Sequence, residues 1–93
     1  MGSGTFRLKG SSLLSKAKEK KGIENAHQLS MEAKITYQTV YKYFDSEGMK
    51  ALDLRVLAQL LLSGVGYTQE ELMDVKFGDI FEYINNFDNG AAG

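Results

Sequence analysis

Residues 25–44 read NAHQLSMEAKITYQTVYKYF, two short helical patterns with a tight turn between them. Ala26, Leu29 and Ser30 recur at i, i+3 and i+4 and so share one face of a first helix. Asn25 precedes them as a candidate N-cap, because its side chain can accept from the free N–H groups of a first turn. Ala33 and Ile35 offer apolar contacts at the turn. Thr36 stands where it can cap a second helix, in which Val40, Tyr43 and Phe44 fall on one inward face. Helices this short are marginal alone, so the rest of the chain must hold them in place.

The outward face of the second helix is left with Tyr37, Gln38, Tyr41 and Lys42, flanked by Thr39. A helix that presents an amide, two phenols and an amine near its N-terminus suits a DNA major groove. Gln can pair bidentately with adenine, Tyr can touch a thymine methyl or a phosphate, and Lys can reach a phosphate or guanine. The plainer reading, that these are ordinary solvent-facing positions, stands beside it.

The stretch resembles the helix-turn-helix of the Cro/C1-type (XRE-like) repressor family. That pattern has a small residue and Leu in its second helix, Ala-Gly-Ile/Val-Ser/Thr at the turn, then polar residues and an apolar one. Leu29, Ser30, Ala33, Lys34, Ile35, Thr36, Tyr37, Gln38, Thr39, Val40, Tyr41 and Lys42 stand in those places. Two positions depart. The turn glycine is Lys34, which must adopt or avoid a left-handed conformation at some cost. The frequent Gln at the start of the second helix is Ala26, so its phosphate contact would fall to Asn25 and His27. The resemblance covers roughly residues 13–84 and is loose after Gly48. It implies residues 36–44 in the major groove, with Tyr37, Gln38 and Tyr41 on base edges. Asn25, His27, Lys34, Thr36, Thr39, Lys42 and Lys50 would then meet the DNA backbone. Such proteins usually bind as two-fold homodimers, with half-sites about one helical turn apart.

The net charge of −1 over 93 residues argues mildly against nucleic acid, but its distribution does not. Residues 1–22 carry six basic and one acidic side chain; residues 51–93 carry two basic and seven acidic. Such asymmetry can polarise a surface, and local potential matters more to DNA than net charge. Alternatively, Lys16, Lys18, Lys20 and Lys21 merely solvate a first helix. The loop at 45–48 carries Asp45 and Glu47, which would repel phosphate unless turned away.

Ninety-three residues suffice for one small domain with one core. The chain has no cysteine and one histidine, which excludes disulfides, Cys-based zinc sites and multi-His metal sites. The acidic residues lack calcium-loop spacing, no nucleophile motif accompanies His27, and no glycine run could cradle a phosphate. No segment reads as a signal peptide or membrane span. The expectation is a non-enzymatic, cytoplasmic protein without cofactor, metal, membrane or small-molecule substrate.

Around the central motif, residues 1–5 read as a loose tail and residues 6–9 (FRLK) alternate like a short strand. Ser11 or Ser12 can cap a first helix over 13–21, with Leu14, Ala17 and Lys18 or Lys21 on one face and Gly22 ending it. Residues 52–63 form the most apolar helix, with Leu54, Leu57, Ala58 and Leu61 as its core stripe. Val56, Leu60 and Leu62 widen that stripe enough to suggest wrapping segments or a subunit contact. Thr68 and Glu71 form a capping box opening a helix to about Val75. After Lys76 two readings compete. Phe77, Ile80, Phe81, Ile84 and Phe87 fit a helix, whereas 79–84 fits a strand pairing with 6–9. The strand is preferred, and residues 85–93 read as a flexible tail.

The expected architecture is therefore mainly α: a five-helix Cro/C1 repressor-like domain over 6–84, with a small antiparallel sheet pairing its termini. The expected function is sequence-specific binding of double-stranded DNA by a prokaryotic, phage or plasmid transcriptional regulator. The rival is a protein-interaction module, an adaptor or antitoxin-like subunit on the same fold. It would show a contiguous apolar patch around Val56, Leu60 and Leu62.

Overall fold

The computed structural model describes residues 4–85. Its elements run β1 (Gly4–Leu8), α1 (Gly10–Lys21), α2 (Ala26–Ala33), α3 (Tyr37–Phe44), α4 (Leu54–Gln59), a π-helical segment (Leu60–Val65), α5 (Gln69–Asp74), α6 (Phe77–Ile80) and β2 (Phe81–Asn85). The fold is mainly helical, with one two-stranded antiparallel sheet. The described residues thus form six α-helical segments rather than five, the sixth being the single turn α6. None is long and apolar enough to cross a membrane.

The sheet explains how the helices begin. Leu8 pairs with Phe81 and both are buried, whereas Arg7 and Glu82 pair on the opposite face with an ion pair of 2.8 Å. Strand β1 takes in Gly4 and Thr5, which the sequence assigned to the tail. The Tyr83 ring lies over Gly4, where a Cβ would stand 1.8 Å from its hydroxyl oxygen. The Lys9 N–H donates to the Ile80 carbonyl at 2.8 Å, and the Lys9 carbonyl accepts from Leu13 N–H at 2.9 Å. The chain therefore enters α1 straight from the sheet. Neither Ser11 nor Ser12 caps it; both lie inside its first turn, and Lys9 is an N-cap without a side-chain bond. The buried stripe of α1 is Leu13 and Ala17, with Leu14 only half-buried.

The two readings after Lys76 are each right over part of the segment. Helical spacing holds through α6, where the Lys76 N–H donates to the Asp79 carboxylate at 2.9 Å. The strand then starts at Phe81, not Asp79, because residues 79 and 80 belong to that turn. The N-terminal residues 1–3 and the stretch 86–93, including Phe87, lie outside the described residues.

Asp53 caps α4 by accepting from Arg55 N–H, so the helix begins two residues later than its apolar pattern. Leu54, expected in the core stripe, is 71% exposed at the helix entrance. Leu60, expected on the excess apolar surface, is fully buried. Leu57, Leu60, Leu61, Gly64 and Val65 recur at i, i+3, i+4, i+7 and i+8, so the buried stripe runs along a face rotated from the expected one, and Leu54 falls in the solvent-facing first turn. Gly66 N–H bonds the Leu61 carbonyl five residues back at 3.0 Å, which widens the turn and reduces the rotation per residue. Leu60, Leu61, Gly64 and Val65 are all buried. Gly64 lets this segment press against α2, since a Cβ would lie 2.8 Å from the Leu29 Cδ1 and 3.1 Å from the Ala33 Cβ. The core joins Leu8, Leu13, Leu29, Val40, Leu60, Leu61 and Val65, drawing on the sheet and the helices alike.

Candidate nucleic-acid interface

Helix α2 is fixed at both ends by its own sequence. The Asn25 side chain accepts from Gln28 N–H at 2.9 Å, and the Gln28 carboxamide oxygen accepts from Glu24 N–H at 2.7 Å. At the other end Lys34 adopts the left-handed conformation, with φ 59°. Its N–H donates to the Met31 carbonyl at 3.2 Å, and Ile35 N–H donates to the Ser30 carbonyl at 3.0 Å. This is the hydrogen-bond pair of a Schellman turn, with lysine in the place glycine usually holds. Ile35, half-buried against the core, follows as the apolar anchor.

Thr36 then caps α3 by accepting from Thr39 N–H, and the two hydroxyls bond each other at 2.8 Å. Val40 and Tyr43 bury the inner face of α3, with Phe44 half-buried beside them. The Tyr43 hydroxyl accepts from Asp53 N–H at 3.2 Å, which ties α3 to the entrance of α4. Gln59 of α4 donates its side-chain amide to the Ala33 carbonyl at 2.5 Å, with the Lys34 carbonyl 3.5 Å away. The turn before α3 and the inner face of α3 are thus both held from α4.

Neither tie was foreseen from the sequence. The signal for Gln59 was present, as the lone amide in the apolar run VLAQLLL. An amide flanked by so many apolar neighbours finds its partners in the turn carbonyls, above all that of the buried Ala33. Tyr43 was assigned to the core correctly, but nothing in its spacing revealed the hydroxyl's partner.

The outward face carries the expected residues. Tyr37 is 43% and Tyr41 58% exposed, and Gln38 and Lys42 are exposed too, with Thr39 half-buried. Asn25, His27, Lys34, Thr36 and Lys50 are also exposed. Three rings form a string across the turn. The His27 and Tyr37 centroids are 5.5 Å apart, and those of Tyr37 and Tyr41 are 6.0 Å apart. Lys42 and Lys50 line one surface depression with Asp45. The Asp45 carboxylate accepts from Glu47 N–H at 2.9 Å and so closes its own loop. Asn25 is committed through its side-chain oxygen to its cap, leaving only its amide hydrogens for another partner.

The charge asymmetry is partly consumed inside the fold. Lys18 pairs with Glu24 at 3.5 Å, Lys20 with Glu71 at 2.9 Å and Lys21 with Glu32 at 2.7 Å. The hydrogen bond and charge of Lys21 hold the Glu32 carboxyl below its ordinary range, with a contribution from Lys34. Lys20 does the same for Glu71, assisted by the Thr68 N–H of the expected capping box. Among the described residues, no ion pair engages Lys34, Lys42 or Lys50. The cations left free around α3 thus come from the helix-turn-helix and the loop after it, while much of the α1 charge is paired. No cluster of three or more potential metal ligands occurs among the described residues. Comparison with family models, with curated proteins and with solved structures finds no match.

Proposed function

We propose that this chain binds double-stranded DNA in a sequence-specific way, as a cytoplasmic transcriptional regulator of prokaryotic, phage or plasmid type. In this reading the helical core has a Cro/C1-like arrangement and α3 enters the major groove. One observation carries it. Helix α3 is anchored through Val40, Tyr43 and the Gln59-braced turn, yet turns Tyr37, Gln38, Tyr41 and Lys42 to solvent. A helix held so firmly on one side and so exposed on the other is suited to meeting a partner. Gln38 can pair with an adenine edge, and Lys34, Lys42 and Lys50 can meet phosphates. Thr36 and Thr39 share a hydroxyl bond and retain one hydrogen-bonding capacity between them for a phosphate oxygen. Two-fold pairing of copies would present two such helices to half-sites about one helical turn apart.

The test is selection from a random duplex pool at about 50 mM salt, repeated near 200 mM because phosphate-driven binding falls steeply over that range. An enriched palindromic motif that survives the higher salt is the expected result. Weak, unenriched binding lost at the higher salt would overturn the reading.

A second reading has its own support. The rival's diagnostic patch around Val56, Leu60 and Leu62 is absent, because Leu60 is buried and the other two are half-buried. An exposed aromatic cluster lies elsewhere, beside the sheet. The Phe6 ring meets Phe77 at 5.1 Å and Tyr83 at 5.3 Å, and Phe77 stacks on Phe81 at 4.4 Å. Phe6, Phe77 and Tyr83 are all exposed large side chains. Such a grouping favours a protein contact, with a second copy or with another chain. Sedimentation of the wild type and Phe77→Ser over a range of concentrations separates the two cases. Self-association lost in the variant identifies a dimer face. A monomer at every concentration leaves the cluster to a different protein.

A further inference from the structure

The ring string on the exposed side of the helix-turn-helix has chemistry that the amide and the lysines do not share. Tyr37 is the first residue of α3 and Tyr41 lies one turn further along. Both rings are substantially exposed, and His27 of α2 flanks Tyr37 from the other side of the turn. The spacings of 5.5 Å and 6.0 Å lie within the range of interacting aromatic pairs, so each ring limits the freedom of its neighbour. The result is a narrow aromatic strip set beside Gln38.

Phosphates offer nothing to the face of such a ring. Among base edges in the major groove, thymine alone presents an apolar group, its C5-methyl. A base from an opened strand could stack on an outer ring face, but it could not enter between Tyr37 and Tyr41. Their centroids are 6.0 Å apart with planes inclined by 33°, whereas an inserted base needs about twice the 3.4 Å stacking distance. The strip therefore fits an intact duplex better than a splayed single strand.

We infer that Tyr37 and Tyr41 read thymine methyl groups, so that with Gln38 on adenine the chain selects half-sites with an A·T core. This rests on the DNA-binding reading above and names the base chemistry that reading left open. Removing one methyl from a buried contact corresponds to about a fourfold loss of affinity, from the free energy of burying one such group.

The experiment compares the selected duplex with copies in which single thymines are replaced by uracil. That change removes only the methyl and leaves base pairing and every phosphate in place. Affinities are measured by fluorescence anisotropy for the wild type, Tyr37→Ala and Tyr41→Ala. Both positions are exposed, and circular dichroism checks that each variant keeps its helix content. The expected result is about a fourfold loss at one or two thymines in each half-site. That loss should disappear in the tyrosine variant facing the methyl. Tight binding that ignores uracil at every position would overturn the inference and leave the DNA reading intact. Absence of any preferred duplex in the selection would remove the DNA reading and this inference with it. Stronger binding to the separated strands than to the duplex would overturn the inference in favour of base stacking.

Discussion

Helices α1 and α2 both end in the left-handed conformation, and they do so with different residues. Helix α1 ends at Gly22, with φ 72° and ψ 20°; α2 ends at Lys34, with φ 59° and ψ 41°. Each is followed by an isoleucine that packs on the core. Gly22 has open space around it and takes its conformation without steric cost. Lys34 carries a Cβ into the same region, at a cost of about 1–2 kcal/mol. The difference lies in what surrounds the turns. The Lys34 turn is braced by the Gln59 amide, and among the described residues its side chain enters no ion pair. Strain retained where a cheaper residue would fit is the pattern expected next to a working surface. The two turns are also linked, because Lys21, just before Gly22, pairs with Glu32, two residues before Lys34.

That contrast can be attacked at four points, taken from the largest expected effect. Gln59→Leu removes the donor to the turn carbonyls and should lower stability by about 1–3 kcal/mol in urea unfolding. A loss within error would mean the Lys34 turn supports itself. Gly22→Ala meets no neighbour within 4 Å, so its cost is that of the backbone alone, about 1–2 kcal/mol by the same measurement. A neutral outcome would erase the distinction between the two ends. Lys34→Gly should act in opposite directions on two readouts. Stability should rise by about 1 kcal/mol as the strain is relieved. Affinity for every duplex should fall, with the salt slope reduced by about one. A stabilised variant that binds DNA unchanged would show that the lysine's charge has no role there.

The smallest effect is electrostatic. The Glu32 carboxyl is held below its ordinary value of 4.5 by Lys21. A depressed carboxyl contributes stability that is present above the ordinary value and is lost as pH falls through the folded-state value. The pair is at the surface, so the contribution is small. Carboxyl titration by NMR should place Glu32 below 4.5 in the wild type and nearer to it in Lys21→Met. Equal values would sever the link between the two turns.

How much of this was legible depended on whether the information was local. Asn25, Thr36 and Thr68 as caps, Gly22 as a terminator, and the inner and outer faces of α3 all follow from spacing within a few residues, and all appear in the fold. The outward set at Tyr37, Gln38, Tyr41 and Lys42 was legible for the same reason. Leu54 and Leu60 exchanged their expected burial because both lie three residues from Leu57, and a run this apolar does not mark which side of Leu57 the buried face continues on. Ser11 and Ser12 lost the cap because the sheet had already committed Lys9. The Gln59 brace and the His27–Tyr37 contact join separate elements, and helical periodicity carries no record of such pairs.

The sheet that joins residues 4 and 85 has a consequence for the order in which the molecule can be completed. Closing a loop of about 80 residues costs on the order of 4 kcal/mol in chain entropy, against far less for the neighbouring helices. A ribosome releases β1 first and β2 last of the described elements. Leu8, fully buried in the finished protein, therefore emerges without its partner Phe81 and stays without it until more than seventy further residues have been made. The helix pair α2–α3 can assemble early, but the seam that seals the core closes only after every helix between its two strands has been made.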